Sequence, residues 1–329
     1  MFFFPPTTQS LNMIKIIQDK IFSQFLYHVF LIMASGLVVL STVHTVIDSS
    51  FISLSINSIG GAIYCTESYS KLLVNRCLFQ MCSASNGGSI YCSSPSFEVE
   101  NSCFLKSVAT TWGQALFSKK CVYNLVYNSF SMSSYLENSG DYCTVELETG
   151  SGNISNINAS KNYVSTHTPA IRFMGTGSIL LSYFTYYLND SPLGATLNFQ
   201  KSTTICEVKY GNVIQCPIRA STGLIRVNDG NKNAAFFYVN FISNTGHTLI
   251  CVVGTNSIAP SYTNCVFSNP ISIIGSSVNT NCIFDTIGQQ YTFQFERTGI
   301  CYTDTKINTY FKNFQHRTMV LLLVNIYAY

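Results

Sequence analysis

The stretch "IGGAIYC" at residues 59–65 recurs almost unchanged as "NGGSIYC" at residues 86–92. A more distant copy, "GQALFS", begins at Gly113, so the column of glycines at Gly60, Gly87 and Gly113 has spacings of 27 and 26 residues. Further apolar segments follow at looser intervals of about that size as far as "GHTLICVV", residues 246–253. A fixed period in this range is typical of repeat proteins, in which each unit stacks on the one before it.

The segments that repeat have the pattern of β-strands. A second series lies about 14 residues after the first and includes "LLVNRCLF" (72–79) and "FEVENSCFL" (97–105). These segments are rich in Ile, Val, Phe and Tyr and alternate apolar with polar residues, so that Ile90 and Cys92 share one strand face. No segment between residues 60 and 300 keeps a helical period over three turns.

Short strands at regular intervals, without helices between them, predict an all-β parallel β-helix. Equivalent residues of successive coils then stack about 4.8 Å apart, which favours like residues in one column. The repeat predicts four structural glycines, Gly60, Gly61, Gly87 and Gly88. It also predicts three stacked pairs on adjacent coils: Cys65 over Cys92, Cys77 over Cys103 and Asn75 over Asn101. The paired glycines suit a corner that needs positive φ or a close backbone approach. Extending the alignment upstream places Ile52 over Phe79 and Leu54 over Met81, which predicts about ten coils from residue 44 onward.

The amino-terminal part of the chain has a different character. Residues 25–43, "FLYHVFLIMASGLVVLSTV", carry no formal charge and follow Lys15 and Lys20. Such a stretch is typical of a signal peptide or signal anchor, and it equally suits an apolar helix that caps the first coil. The chain therefore divides into a leader with an apolar segment at 1–43 and a β-helix at 44–329.

The glycine repeats also resemble a known family. "GGAI" (60–63) and "GGSI" (87–90) are similar to the GGA[ILV] repeats of polymorphic outer membrane proteins, whose F-x-x-N element is matched by "FISN" at 241–244. The cysteine-bearing form "GGAIYC…NRCLFQMC" looks like the β-helix surface families of parasitic protists. The resemblance implies a right-handed parallel β-helix, a cell-surface or secreted location, and an adhesive or antigenic role. It carries over no catalytic residue.

Composition excludes several classes of function. Only 10% of residues are charged and the net charge is +3, without the basic run that nucleic acid requires. No C-x2-C pair, phosphate-binding loop or dinucleotide fingerprint is present, so we expect neither a metal nor a cofactor. The thirteen cysteines fit either small buried hydrophobes in stacked positions or disulfides between adjacent rungs.

Acidic residues supply the one candidate constellation for catalysis. Glu98 and Glu100 share a strand face, as do Glu146 and Glu148, and Asp141 lies nearby in the sequence. Lys119, Lys120 and Arg172 could sit on neighbouring coils. A carbohydrate-active β-helix enzyme needs either a pair of acidic residues or carboxylates together with a basic residue, and these side chains could supply both kinds of group. Two Glu residues that alternate along a strand also make an ordinary solvated strand face.

Asparagines and aromatics suggest surface roles. Asn153, Asn158 and Asn189 each begin an N-x-S sequon and are candidate glycosylation sites in a secreted chain. The aromatic runs "YFTYY" (183–187) and "AAFFYV" (234–239) could expose rings for glycan or protein binding, or stack them inward.

Together these features predict a non-catalytic surface or secreted β-helix that binds ligands or acts in antigenic display. Its expected partners are glycans or host or cell-surface proteins, and residues 25–43 could associate with a membrane. The alternatives are a polysaccharide lyase or hydrolase, and a purely structural solenoid without a specific ligand.

Overall fold

The structure, a computed structural model, describes residues 37–284 except for 40–42, 67, 135–141, 176, 201–203, 205, 218–222, 229–233, 246–247, 254–259, 269–271 and 274–277. Within these ranges the chain forms strands and no helix. The strands are β1 (Leu37–Val39), β2 (Val43–Ile47), β3 (Ser50–Ile52), β4 (Ile63–Cys65), β5 (Lys71–Asn75), β6 (Leu78–Gln80), β7 (Ser83–Asn86), β8 (Ile90–Cys92), β9 (Ser96–Glu100), β10 (Cys103–Leu105), β11 (Val108–Trp112), β12 (Leu116–Lys119), β13 (Val122–Val126), β14 (Ser129–Ser131), β15 (Cys143–Glu148), β16 (Ser151–Ser160), β17 (Thr168–Met174), β18 (Ile179–Tyr187), β19 (Leu197–Gln200), β20 (Cys206–Ile214), β21 (Ile225–Asn228), β22 (Ala234–Ile242), β23 (Thr248–Val253), β24 (Ser261–Thr263), β25 (Val266–Phe267), β26 (Ser272–Ile273), β27 (Val278–Thr280) and β28 (Ile283–Phe284).

These strands form a parallel β-solenoid, as the repeat predicts. Sheet 1 has the order β1-β4-β8-β12-β15-β17-β19-β21-β23-β26, and sheet 2 the order β2-β5-β9-β13-β16-β18-β20-β22-β24-β27. A third face, sheet 3, begins with β3, β6, β10 and β14 and continues through the second halves of the long strands β16, β18, β20 and β22. Each coil thus adds one strand to each face.

The corner between sheets 2 and 3 is formed by residues in the left-handed backbone region, one on each rung. They are Asp48, Arg76, Asn101, Tyr127, Asn156, Tyr183, Tyr210, Tyr238, Asn264 and Asn281, with φ between 49° and 56°. In the long strands this residue is the bend that turns one strand from sheet 2 into sheet 3. We call this row the corner column.

The core is built from stacked identical or similar side chains. Phe51, Phe79, Phe104 and Phe130 stack on sheet 3 with ring centroids 4.7–4.9 Å apart, about one strand spacing. On sheet 1, Ile63 pairs with Ile90, and Cys65 with Cys92, as predicted. All of these side chains are buried, so the period-two pattern of the sequence selects the inward face correctly.

The repeated glycines lie where the backbone requires them. Gly60, Gly87 and Gly113 have φ of +71°, +61° and +62°, a region that side chains disfavour. At Gly88 an added Cβ would lie 2.1 Å from the carbonyl oxygen of Gln114 and 2.4 Å from that of Val108. The first glycine of each pair therefore supplies the turn, and Gly88 permits close contact with the next coil.

Some expectations about register and extent were wrong. The structure shows about seven turns rather than ten, with only parts of further rungs described at either end. Phe79 pairs with Phe51 and not with Ile52, and Leu54 is level with Cys82 and not with Met81. Cys103 pairs with Leu78, while Cys77 is level with Ser102. Asn75 pairs with Glu100 in the strand register, but Asn101 Nδ2 still donates the predicted amide hydrogen bond to Asn75 Oδ1, at 3.3 Å. The reason is that individual coils are longer or shorter than the mean period by one or more residues.

The predicted amino-terminal helix is also not supported. Leu37–Val39, at its carboxyl end, is a strand that pairs with Ile63–Cys65 on sheet 1. The β-branched Val38 and Val39 suit a strand that extends the stack by one rung. Residues 1–36, with most of the apolar segment, lie outside the described residues.

Candidate functional site

The candidate site lies on the outward face of sheet 1. Inward residues of this sheet, such as Val145 and Leu147, belong to the core, so Glu146 between them points away from it. The strand register places Glu146 beside Phe117 and Arg172, and continues the row to Asn198 and Arg226. We call Phe117, Glu146, Arg172, Asn198 and Arg226 the outer column.

The outer column is unusual because its middle is shielded from water. Glu146 is 0% exposed, Arg172 4% and Asn198 3%, although each projects from the side of the sheet opposite the core. Arg226 is half-buried. Lys, Glu, Arg and Asp are almost never fully buried unless they are paired, so this row differs from a solvated strand face.

Glu146 and Arg172 form a buried ion pair across adjacent coils. An Arg172 Nη1 atom lies 3.3 Å from Glu146 Oε1. The Cys143 thiol donates a hydrogen bond of 2.6 Å to Glu146 Oε2. Arg172 Nη2 donates to Gln200 Oε1 on the next coil and lies 3.5 Å from the sulfur of Met174. The guanidinium is therefore held by groups from three successive rungs.

An aromatic ladder borders the ion pair. The rings of Trp112 and Tyr142 stack at 3.7 Å, and those of Tyr142 and His167 at 4.3 Å. The Cζ atom of Arg172 lies 5.1 Å from the ring centroid of Trp112 and 5.8 Å from that of Tyr142. These distances permit cation–π attraction, which supports the guanidinium from the side.

Burial controls the protonation of this site. It raises the pKa of Glu146 to about 7, and the nearby Arg172 offsets only part of that effect. Burial and the neighbouring carboxyl group raise the pKa of the Cys143 thiol well above its ordinary value. At neutral pH Cys143 is therefore a neutral hydrogen-bond donor and not a thiolate nucleophile.

Several polar atoms of the outer column make no hydrogen bond with any residue that the structure describes. They are Glu146 Oε1, Arg172 Nε, Asn198 Oδ1 and Arg226 Nε, one on each of four successive coils. By contrast, the buried amide of Asn189 on a corner is satisfied at both ends: its Oδ1 accepts from Asn162 N, and its Nδ2 donates to Ala159 O. The outer column therefore concentrates unmet hydrogen-bonding capacity in one row.

The five predicted acidic residues do not form one cluster. Glu98 and Glu100 lie on β9 of sheet 2, where Glu98 pairs with Lys71 at 2.7 Å. Glu146 and Glu148 lie on β15 of sheet 1, where Glu148 pairs with Lys119 at 3.0 Å. Asp141 lies outside the described residues. The two glutamate pairs therefore lie on different sheets of the solenoid, sheet 2 and sheet 1.

The three sequons have different environments. Asn153 is exposed on β16, whereas Asn158 is 3% and Asn189 0% exposed. Because Asn189 bonds corner backbone groups through both ends of its amide, a glycan there would disrupt the corner. Of the three sequon asparagines only Asn153 is exposed, and glycosylation of the three stays a prediction.

Six of the thirteen cysteines lie at corners of the solenoid. Each corner thiol donates to the carbonyl oxygen two residues earlier and to a carbonyl oxygen of the preceding coil. These residues are Cys77, Cys82, Cys121, Cys216, Cys265 and Cys282. Cys65 and Cys92 are buried thiols on sheet 1, where Cys65 Sγ lies 3.5 Å from Ser70 Oγ and Cys92 Sγ lies 3.1 Å from Ser94 Oγ. Cys103 lies half-buried on β10 and is disulfide-bonded, so the alternative of a disulfide applies at this position. The interpretation of cysteine as a small buried residue therefore holds for the corners, with a hydrogen bond added.

The described residues offer no cluster of three or more His, Cys, Asp or Glu side chains that could hold a metal ion. Within the same ranges, no helix has the length and apolar character needed to cross a membrane. Comparisons of the chain with protein-family models, with curated proteins and with solved structures gave no match.

Sequence reasoning missed most of the outer column. Glu146 was a candidate and Arg172 a possible neighbour, but Asn198 and Arg226 were not considered. Both occupy the position that holds Tyr64 and Tyr91 in earlier coils. A change from aromatic to polar at this repeat position, in "LGATLNF" and "TGLIRV", is the signal that could have found them.

Proposed function

We propose that the protein is a non-catalytic β-solenoid, displayed at a cell surface or secreted, that binds ligands along its outer faces. The observation that carries this proposal is the row of tyrosines in the corner column. Tyr183, Tyr210 and Tyr238 stack with centroids 5.2 and 5.5 Å apart, and Tyr183 is 42% exposed. Tyr127, three rungs before Tyr210 in the same column, is 49% exposed.

A tyrosine row at a corner suits recognition better than stability. Exposed Tyr and Phe rings are the residues that binding surfaces use most, because each combines apolar area with a polar tip. The corner needs a left-handed residue at each rung, a conformation for which Asn is favoured and Tyr is not. Three successive tyrosines at positions that favour Asn therefore point to selection for what the rings contact outside the fold.

The acidic side chains support the non-catalytic assignment. Four exposed or half-exposed carboxylates of the solenoid are held by basic partners, in the pairs Asp48–Arg76, Glu98–Lys71, Glu148–Lys119 and Glu207–Lys209. A general acid–base pair needs two carboxyl groups that both face the substrate. Glu146 and Glu148 share a strand face, but Lys119 engages one of them and the other is buried.

The location and the finer family assignment are part of the same proposal. The resemblance of "GGAI" and "GGSI" to polymorphic outer membrane protein repeats supports a right-handed coil and a surface role. The apolar segment at 25–43 supports export, and the exposed Asn153 supports a glycoprotein.

Surface labelling of intact cells tests this proposal. Cells would express the chain with a tag after Tyr329, and labelling would be compared with and without glycosidase. We expect labelled protein whose mobility changes with glycosidase, and loss of that change in Asn153→Gln but not in the matched Asn75→Gln. Unlabelled protein without a glycan would refute display at the surface.

A carbohydrate-active enzyme is the second candidate, and one observation favours it. The pKa of Glu146 is raised to about 7, as a general acid requires. Glycan hydrolysis or elimination that disappears in Glu146→Gln and persists in Glu98→Gln would replace the non-catalytic assignment.

A further inference from the structure

The outer column contains polar atoms that make no hydrogen bond with the residues that the structure describes, although Glu146 Oε1 has an ionic contact of 3.3 Å with Arg172 Nη1. Glu146 Oε1, Arg172 Nε, Asn198 Oδ1 and Arg226 Nε lie on consecutive coils, so the strand register spaces them at about 4.8 Å. Three of the four side chains are more than nine-tenths buried. A buried polar atom that makes no hydrogen bond lowers the free energy of unfolding by about 1–3 kcal/mol, so a row of such atoms destabilises the fold.

Buried hydroxyls without a hydrogen bond among the described residues also occur outside the column, as on Ser133, Thr168, Tyr186 and Tyr262. Those of Tyr186 and Tyr262 belong to rings that pack inside the solenoid. The outer column differs because its atoms follow one another on the outward side of one sheet. A row of this kind provides a continuous set of hydrogen-bonding positions for an extended ligand.

We propose that the outer column binds the carboxylate and hydroxyl groups of an acidic oligosaccharide. This inference rests on the proposed ligand-binding function and names its ligand class. The order along the column is acceptor, donor, acceptor, donor, from Glu146 to Arg226. Sugar hydroxyl groups can donate to Glu146 and Asn198, and a sugar carboxylate can accept from the two guanidinium groups.

Charge favours a ligand that carries a negative group. The column holds two guanidinium groups against one carboxyl, and Arg226 makes no ion pair with any residue that the structure describes. Inorganic sulfate or phosphate would satisfy the arginine donors but would leave the acceptors of Glu146 and Asn198 unpartnered. A neutral glycan would do the reverse. An acidic sugar chain meets both requirements.

The surroundings of the column suit a sugar ligand. The aromatic ladder of Trp112, Tyr142 and His167 lies beside Arg172 and remains partly exposed. Its rings offer apolar surface to the C–H groups of a sugar. Gln200 and Met174, which cover the end of Arg172, are half-buried side chains. Their rotation would open the guanidinium to a ligand without movement of the sheet.

The test is equilibrium binding to the purified full chain. The probe is an oligogalacturonate, with its methyl ester as a matched neutral ligand, a sialyl-oligosaccharide as a second source of sugar carboxylate, and inorganic sulfate as a plain anion. Trp112, the chain's single tryptophan, beside Arg172, provides a fluorescence readout. We expect one or both acidic sugars to bind at least tenfold more tightly than the ester and than sulfate.

Two variants connect binding to the column. Arg226→Met and Asn198→Leu should each weaken acidic-sugar binding about tenfold or more, since each removes a hydrogen bond to a charged or polar ligand group. Each substitution removes one atom that makes no hydrogen bond with the described residues, Arg226 Nε or Asn198 Oδ1, so we expect a smaller loss of stability than from Asn189→Ala. The matched control Arg76→Met, which removes an exposed arginine paired with Asp48, should bind normally.

Equal binding by all variants, or preference for the ester or sulfate, would overturn this inference. So would a loss of stability without a loss of binding, which would show that the column serves only the fold. Neither result would change surface labelling or glycosidase sensitivity, so failure of the ligand assignment is separable from failure of the proposed function.

Discussion

Replacing Glu146 with Gln should make the protein more stable at neutral and alkaline pH, although it removes one partner of a buried ion pair. Burial raises the pKa of Glu146 from 4.5 to about 7, which means that the folded protein favours the neutral carboxylic acid. Glutamine has nearly the same shape as that acid and cannot ionise. Glu146→Gln therefore fixes the form that the folded state prefers.

The sign and size of the effect follow from proton linkage. Between about pH 4.5 and 7 the folded state holds the Glu146 proton and the unfolded state releases it. The wild-type free energy of unfolding then falls as pH rises, by about 3 kcal/mol over this interval. The stabilisation is fully present below pH 4.5 and is lost as pH passes through 7. In Glu146→Gln this part of the pH dependence should be absent.

Chemical denaturation between pH 4.5 and 8.5, followed by the fluorescence of Trp112, measures this difference. The two proteins should have similar stability at the acidic end, and the variant should be more stable at pH 8 by about 3 kcal/mol. Glu148→Gln is the matched control on the same strand. Its partly exposed pair with Lys119 is worth about 0–1 kcal/mol, so that variant should keep the wild-type pH profile.

The opposite result would refute the reasoning. If attraction to Arg172 outweighed desolvation, Glu146→Gln would leave a buried guanidinium uncompensated and would destabilise the protein by about 3–5 kcal/mol at pH 8. A less stable variant at pH 8, or a wild-type profile that rises between pH 4.5 and 7, would show that the pair stabilises the fold.

Three further predictions concern the solenoid itself. Phe104→Ala removes a ring from the middle of the sheet 3 stack and should lower the free energy of unfolding, measured by chemical denaturation, by about 3–5 kcal/mol. Tyr127→Ala at the exposed corner should lower it by less than about 1 kcal/mol. Equal losses in the two variants would contradict the assigned faces. Asn189→Ala leaves Asn162 N and Ala159 O buried without their side-chain partner and should cost about 1–3 kcal/mol for each, while the exposed Asn153→Ala should change stability by no more than about 0.5 kcal/mol. Burial raises the pKa of Cys82 and Cys216 to about 11, so folded protein at pH 8 should label at these thiols far more slowly than denatured protein; rapid labelling mapped by mass spectrometry would show that these corners are open.

The sequence predicted the architecture because a solenoid repeats its physical requirements. Gly60, Gly87 and Gly113 recur since each turn needs a left-handed residue, and Ile63 and Ile90 recur since each rung fills the same inward position. Register was less predictable, because one inserted or deleted residue in a turn shifts every later pair. Phe79 to Phe104 is 25 residues, Phe104 to Phe130 is 26, and Phe130 to Ala159 is 29.

The candidate site was harder to predict for the same reason. Glu146 and Arg172 are 26 residues apart and meet only if the register of their two coils is known. Their burial could not be read from period-two alternation, since that pattern assigns both to the outward face. Shielding arises from the length of Arg172 and from Trp112 and Tyr142 on neighbouring coils. A property that depends on three coils at once has no signature within a single repeat.

The corners explain why cysteine is so frequent in this chain. The position after each left-handed corner residue needs a small side chain that can donate to carbonyl groups. Ser102, Asn128 and Cys77 occupy this position on successive coils and bond corner carbonyls in similar ways. A thiol does there what a hydroxyl or an amide does elsewhere, so the corners account for six of the thirteen cysteines. The total number of cysteines therefore does not give the number of disulfides, since corner thiols and the disulfide-bonded Cys103 are counted together.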